Sequence, residues 1–137
     1  AEEHILPIYE SAYPGDTRPR DALNAARDWF SGKLKLPVVK RLILAAHAAA
    51  REAEENPAAQ AAARAVGQAA SIVHVPSHSL GIAFYGAAAV AYARVGTGEK
   101  PEVYEEIAAE ECARMEAALR AVAVPDEKNP AKIKWYC

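Results

Sequence analysis

The feature that most constrains this chain is a run of 29 residues, 65–93, without a single Asp, Glu, Lys or Arg. A run of this length exceeds the ~20 apolar residues that cross a bilayer. Polar side chains nevertheless crowd its middle, and alanine rather than leucine supplies most of its apolar bulk. We therefore expect two helical segments buried in a protein core, and no membrane span. Pro76 lies between them and predicts a kink or a break, because proline lacks the backbone N–H that a helix interior needs.

Helix start and stop signals divide the rest of the chain into short segments. Gly32 and the Gly-Thr-Gly of 96–98 are typical helix stops, and the Asn-Pro of 56–57 is a typical start. Together with 33 alanines, which favour close packing, these patterns predict one all-α domain. We expect a bundle of about six helices over 1–124 and an irregular C-terminal tail over 125–137. The apolar side chains expected to dock this tail on the bundle are Ile133, Trp135 and Tyr136.

The charge balance and the cysteine content narrow the class of protein. Its 16 Lys and Arg against 18 Asp and Glu give a net charge of −2, without the basic excess of a nucleic-acid-binding protein. The opening Ala-Glu-Glu-His lacks the basic and apolar regions of a signal peptide, and an N-terminal Ala is what remains after removal of an initiator Met. The cysteines, Cys112 and Cys137, cannot form a multi-disulfide framework. We expect a cytoplasmic protein.

The polar centre of the charge-free run is the candidate chemical site. His74 and His78 lie one turn apart on one face if the helix continues through Pro76, so that they could chelate a transition metal such as zinc. His47, on a neighbouring predicted helix, and Glu111, on an apolar stripe, complete the tentative ligand set. Alternatively, the histidines are neutral core residues bonded to carbonyls freed by the proline, and Glu111 pairs with an arginine or a histidine. The serines that share this polar cluster are Ser71, Ser77 and Ser79.

A charged turn offers a second candidate surface. Asp16, Arg18, Arg20 and Asp21 place two guanidinium groups and two carboxylates beside a predicted helix start. These groups either recognise an acidic partner or pair among themselves. Exposed charged turns are usually solvated and contribute little to stability. The sequence leaves both interpretations open.

Five stretches of the chain resemble a known family. They are LPIYE at 6–10, PGDTRPR at 14–20, ALNAARDW at 22–29, AAHAAAR at 45–51 and HVPSHSLG at 74–81. Over roughly positions 5–95 these motifs are similar to the Imm-five-like immunity proteins of bacterial polymorphic toxin systems. The last helix departs from the family pattern, because EECARM at 110–115 stands where a Glu-x-x-Trp-Gln element is expected. The resemblance implies a small α-helical protein that binds a protein partner.

Three functions stay open at the level of sequence. The first is binding of a protein partner without catalysis, and the resemblance implies a toxin as that partner. It fits a sequence without a phosphate loop, a paired CxxC, a nucleophile elbow or an HExxH motif. The second is a metal-dependent helical bundle, with hydrolysis as the candidate reaction, that uses His47, His74, His78 and Glu111. The third is a structural homo-oligomer whose alanine-rich faces pack across a two-fold axis.

Overall fold

The computed structural model describes residues 1 and 3–129, and within them the chain forms six α-helices and no strand. The all-α bundle predicted from the sequence is confirmed. The helices are α1 (Leu6–Ala12), α2 (Arg18–Phe30), α3 (Leu36–Glu52), α4 (Pro57–Ser71), α5 (Ser79–Val95) and α6 (Pro101–Val122), and a 3₁₀ turn, Pro76–His78, precedes α5. None of the helices in this described part is both long and apolar enough to cross a membrane.

Proline and glycine set most of the helix boundaries. A proline lies in the first turn of every α-helix except α5. The first N–H groups of a helix have no partner inside it, so the missing N–H of proline costs nothing there. Asn56 also caps α4, because its side chain accepts a hydrogen bond from the backbone N of Ala59 at 3.1 Å. Gly32 and Gly96, just beyond α2 and α5, adopt φ values of 75° and 72°, which most L-residues avoid.

Helix α4 forms the centre of the domain. It packs against α1, α2, α3 and α5, and its small side chains let these helices approach closely. On one side, Ile5, Leu6 and Tyr9 complete a core cluster with α4, while Val39 and Ile43 belong to a second cluster between α2 and α3. The buried residues of α4 are Ala59, Ala61, Ala62, Ala63, Ala65, Val66, Gly67, Ala69, Ala70 and Ser71.

Pro76 breaks the helix between α4 and α5. Helix α4 ends at Ser71, whose carbonyl accepts hydrogen bonds from the backbone N of His74 and of Val75, both at 3.1 Å. The 3₁₀ turn then begins at Pro76, because a residue without an N–H cannot extend the α-helical ladder. Of the two outcomes expected at this proline, the structure shows the break. His74 and His78 therefore do not share the face of one continuous helix.

Helix α6 packs along α5 and is the least buried part of the bundle. Its buried residues are Ile107 and Glu111. Leu119 and Val122, in its last turns, are 67% and 76% exposed. Residues 125–129 follow as exposed, non-helical chain. The tail residues expected to dock on the bundle, Ile133, Trp135 and Tyr136, lie outside the described residues.

Candidate functional site

His74 and His78 lie on either side of Pro76 as close neighbours. Their ring centroids are 6.0 Å apart and their planes are inclined at 75°. The Nδ1 atom of each ring is buried and has no hydrogen-bond partner among the described residues. Buried polar atoms in proteins are nearly always paired, so an unpaired one calls for an explanation. The break between α4 and α5 therefore brings two unsatisfied imidazole nitrogens to one place.

His47, on α3, lies against α4 at Gly67. A Cβ on Gly67 would lie 2.6 Å from Cε1 of the imidazole, so this ring position requires glycine on α4. Burial lowers the pKa of His47, and the positive charges of His78, Arg51 and Arg64 lower it further. His78 acts on His47 electrostatically, but within the described residues the three histidines are not grouped as ligands of one metal ion.

Nearby positive charges act on His74 as they do on His47. Burial lowers the pKa of His74, and the charges of Lys40 and His78 lower it further. The segment 33–51, which supplies His47, contains five Lys or Arg residues and no Asp or Glu. His47 and His74 are therefore held neutral at neutral pH. Neutral imidazole is the state that coordinates a metal, and it offers one nitrogen as donor and the other as acceptor.

The serines of the cluster either bond to the helix backbone or lie in and just after the 3₁₀ turn. Ser71 is buried, and its hydroxyl donates a 2.7 Å hydrogen bond to the carbonyl of Gly67 within α4. Ser77 is buried in the 3₁₀ turn, and Ser79 begins α5. None of them bonds to the free histidine Nδ1 atoms. The two Nδ1 atoms therefore do not form the hydrogen bonds that were expected between the histidines and the carbonyls freed by Pro76.

Glu111 lies on α6 with an arginine as its partner. Its side chain is 3% exposed, and its Oε2 lies 3.2 Å from Nε of Arg114. A cleft of ≈ 350 Å³ beside it is lined in part by His4, Leu23 and Arg27. Within the described residues, no three His, Cys, Asp or Glu side chains are grouped as a metal ion requires. Of the two roles expected for Glu111, the structure shows the ion pair with an arginine. It does not group Glu111 with the histidines as a metal ligand.

The charged turn before α2 is built around Asp16. Its carboxylate accepts hydrogen bonds from the hydroxyl of Tyr9 and from Nη2 of Arg18, each at 2.6 Å. Arg18 also donates to Glu52, at the end of α3, at 2.6 Å. The pKa of Asp16 is lowered to about 2, and the largest cause is its hydrogen bonding to Arg18. This network joins α1 and the turn before α2 to α3.

The other two charged residues of the candidate surface, Arg20 and Asp21, lie at the start of α2 and are also paired inside the chain. Arg20 donates to Glu10 of α1 through Nη2 at 2.7 Å. Asp21 accepts a 2.8 Å hydrogen bond from the hydroxyl of Thr17. Of the four residues, only Arg18 and Asp16 pair with each other, whereas Arg20 and Asp21 bond to Glu10 and Thr17.

The outer face of α5 is a surface that the sequence analysis missed. Phe84 is 72% exposed, and Leu80 and Tyr85 are 39% and 36% exposed. We call these residues, together with Ala88 and Tyr92, the α5 ridge. The burial in a protein core that was expected for the charge-free run holds for the inner side of α5 but not for Leu80, Phe84 and Tyr85. Because apolar residues surround the whole helix, the pattern carries no signal for the side that stays free.

Two clefts flank the α5 ridge. The cleft between α5 and α6 has a volume of ≈ 600 Å³, is lined mostly by alanine and aromatic side chains, and has Glu105 as its one acidic residue. The cleft between α4 and α5 has a volume of ≈ 520 Å³ and contains Arg64, whose guanidinium carbon lies 5.8 Å from the ring centroid of Tyr85. Phe84 lines both clefts. Phe84 thus separates a cleft that contains one carboxylate, Glu105, from a cleft that contains one guanidinium group, Arg64.

Fold and site together define a small all-α protein with an exposed apolar ridge and a polar histidine cluster. The chain belongs to the family described as Imm-5 like putative immunity protein, whose sequence profile matches residues 1–118. The resemblance seen in the motifs of 6–29 and 74–81 is thereby confirmed. No curated protein and no solved structure gives a significant match to the chain. The matched region contains the histidines and the α5 ridge, and it ends before the tail.

Proposed function

We propose that the protein is an immunity protein, which binds a toxin in the cytoplasm and neutralises it without catalysis of its own. The observation that carries the proposal is the family match over residues 1–118. The α5 ridge supports it, because a large exposed aromatic side chain between two clefts is a common feature of surfaces that bind other proteins.

The test is co-expression with candidate toxins encoded in the same gene neighbourhood. We expect the protein to restore growth to cells that express its own toxin, and the two proteins to elute together in size-exclusion chromatography. A catalytically dead toxin should bind equally well, because neutralisation by binding does not depend on the toxin's activity. If no candidate is bound and none is neutralised, the proposal is wrong.

A second candidate function is metal binding at the histidine cluster, favoured by the free Nδ1 atoms of His74 and His78. Zinc binds imidazole nitrogen at about 2.0–2.1 Å, which places two rings on one ion with their centroids about 5–6 Å apart. The observed separation is 6.0 Å. His74 and His78 would be the protein ligands, since His47 is not grouped with them within the described residues, and a water molecule on such an ion would be the nucleophile of a hydrolase.

Metal binding is tested by thermal melting of the full chain with Zn²⁺ or Co²⁺. A metal that binds only the folded state raises the Tm, and Co²⁺ on nitrogen ligands adds visible absorption. The substitution His78→Ala should remove both effects. The matched control is His4→Ala, because His4 is exposed and lies outside the cluster. A Tm that does not respond to metal, together with no Co²⁺ absorption, would rule out this function.

A further inference from the structure

We propose that the α5 ridge and the cleft between α5 and α6 bind a basic, apolar segment of the toxin. This segment inserts an aromatic or aliphatic side chain beside Phe84 and places Lys or Arg next to α6. The proposal rests on the proposed function and adds to it the docking surface and the chemistry of the partner.

Phe84 supplies the apolar part of the proposed docking surface. At 72% exposed, its ring gains little from the hydrophobic effect in the free protein, and burial against a partner would recover that contribution. The ridge is continuous with a concave surface on each side, which offers room for side chains of a partner. Aromatic residues set in such pockets carry much of the binding energy in protein interfaces.

The carboxylates of α6 are unevenly paired along the helix. Residues 99–122 contain seven Glu and three Lys or Arg. In the second half of the helix the carboxylates have partners: Glu110 with Arg94, Glu111 with Arg114, and Glu116 with Arg120. In the first half, the carboxylates without an ion pair among the described residues are Glu102, Glu105 and Glu106.

Glu105 connects these charges to the cleft, because it is part of the cleft wall. Unpaired carboxylates beside an apolar cleft complement lysine and arginine on a partner. Complementary charges of this kind speed association and fix the orientation of the bound segment. An acidic or purely apolar segment would leave these carboxylates unpaired in the interface.

The test uses the complex with the toxin identified by co-expression. We expect Phe84→Asp to weaken binding by about 30-fold or more, because it puts a charge into the apolar centre of the interface. Glu105→Lys should weaken binding by about 5- to 10-fold and reduce its dependence on salt. The matched controls are Leu44→Asp, at an exposed leucine of α3, and Glu55→Lys, at an exposed carboxylate after α3. Both controls should bind within about twofold of the wild type.

The outcomes separate this inference from the proposed function. If the toxin binds Phe84→Asp and Glu105→Lys as tightly as the wild type, the docking surface is wrong and the immunity function stands. If no toxin is found, the surface is tested with a labelled peptide, Lys-Leu-Trp-Lys-Leu-Lys, and its Glu-for-Lys counterpart. Binding of the basic peptide alone, lost in Phe84→Asp, supports the proposal. Failure of the basic peptide to bind overturns it.

Two other occupants of the ridge give distinct results, and either would overturn the proposal. A dimer in sedimentation equilibrium that Phe84→Asp dissociates would show that a second copy covers the ridge. The C-terminal segment 130–137 shares the basic, apolar chemistry of the proposed partner, since it contains Lys132, Lys134 and Trp135. Peptide binding that appears only after Trp135→Ser would show that this segment occupies the cleft.

Discussion

The imidazole of His47 lies against Gly67 so closely that a Cβ there would be 2.6 Å from Cε1 and 2.8 Å from Nδ1. Glycine inside a helix costs about 1 kcal/mol relative to alanine. Its presence in the middle of α4 is explained by this contact, since any larger residue would displace the ring. The contact joins α3 to α4 at the level of the histidine cluster, so the glycine is part of what positions His47.

The substitution Gly67→Ala should therefore destabilise the protein. The added methyl group overlaps the imidazole of His47, and overpacking of this kind costs about 1–3 kcal/mol. In a His47→Ala background the same methyl group meets no ring, and the better helix propensity of alanine should stabilise the chain by about 0.5–1 kcal/mol. Urea unfolding of the wild type, the two single variants and the double variant checks the change of sign. Equal effects in both backgrounds would show that the ring does not exclude the methyl group.

Stability should fall as the pH is lowered from about 7.5 to about 5.5. Burial, as the largest cause, holds the pKa of His47 and of His74 below the ordinary 6.5, so the unfolded chain binds protons that the folded chain does not. The contribution of the neutral histidines is present in full above pH 6.5 and is lost as the pH falls through 6.5 toward the folded-state pKa values. The slope is at most about 1.4 kcal/mol per pH unit for each histidine.

The pH dependence is measured by urea unfolding at several pH values. The double variant His47→Gln/His74→Gln should lose most of the slope in this range. The control His4→Gln should keep the full slope, because His4 is exposed and lies near the N-terminus, outside the histidine cluster. An unchanged slope in the double variant would mean that these two histidines do not cause the pH dependence of the free energy of unfolding.

The sequence was sufficient to predict the helices, because their boundaries follow from local backbone chemistry. Prolines in first turns, the Asn56 cap and the glycines after α2 and α5 each act within a few residues. The outcome at Pro76 could be narrowed only to a kink or a break. In the structure, the carbonyl of Ser71 accepts hydrogen bonds from two backbone N–H groups after α4, and the helix breaks there. The periodicity of apolar residues does not predict this local geometry.

The candidate site was predicted only in part, because it depends on packing between distant elements. His74 and His78 lie together, His47 is not grouped with them as a third metal ligand within the described residues, and Glu111 has Arg114 as its partner. An acidic residue on an apolar stripe indicates a buried carboxylate without indicating which cation it will meet. The exposure of Phe84 was missed for a related reason: a helix that is apolar all round does not show which of its faces lacks a neighbour.

The network around Asp16 should make the protein sensitive to strong acid. Its pKa is lowered from 3.8 to about 2, mainly by hydrogen bonds from Arg18, so its contribution is present above pH 3.8 and is lost as the pH falls toward 2. We expect Asp16→Asn to cost about 1–2 kcal/mol at neutral pH, allowing for partial solvent screening, and almost nothing near pH 2. Acid unfolding followed by circular dichroism measures both.

The matched control for this network is Asp28→Asn. Asp28 pairs with Lys33 at 3.5 Å, and both side chains are largely exposed. Such a pair contributes little, so the control should unfold like the wild type at every pH. If Asp16→Asn loses stability between pH 4 and 2 as steeply as the wild type, the ion pair does not account for the acid sensitivity.

Bound toxin should protect Cys112 from alkylation, because this exposed thiol lines the cleft between α5 and α6. In a Cys137→Ser variant Cys112 is the only thiol, and its reaction with N-ethylmaleimide can be followed by mass spectrometry. We expect the rate to fall by about tenfold or more in the complex, since alkylation requires access to the thiolate. In a chain without native cysteines, Leu44→Cys places a thiol on the exposed face of α3, and its rate should not change. Equal alkylation of Cys112 with and without toxin would place the partner on another surface.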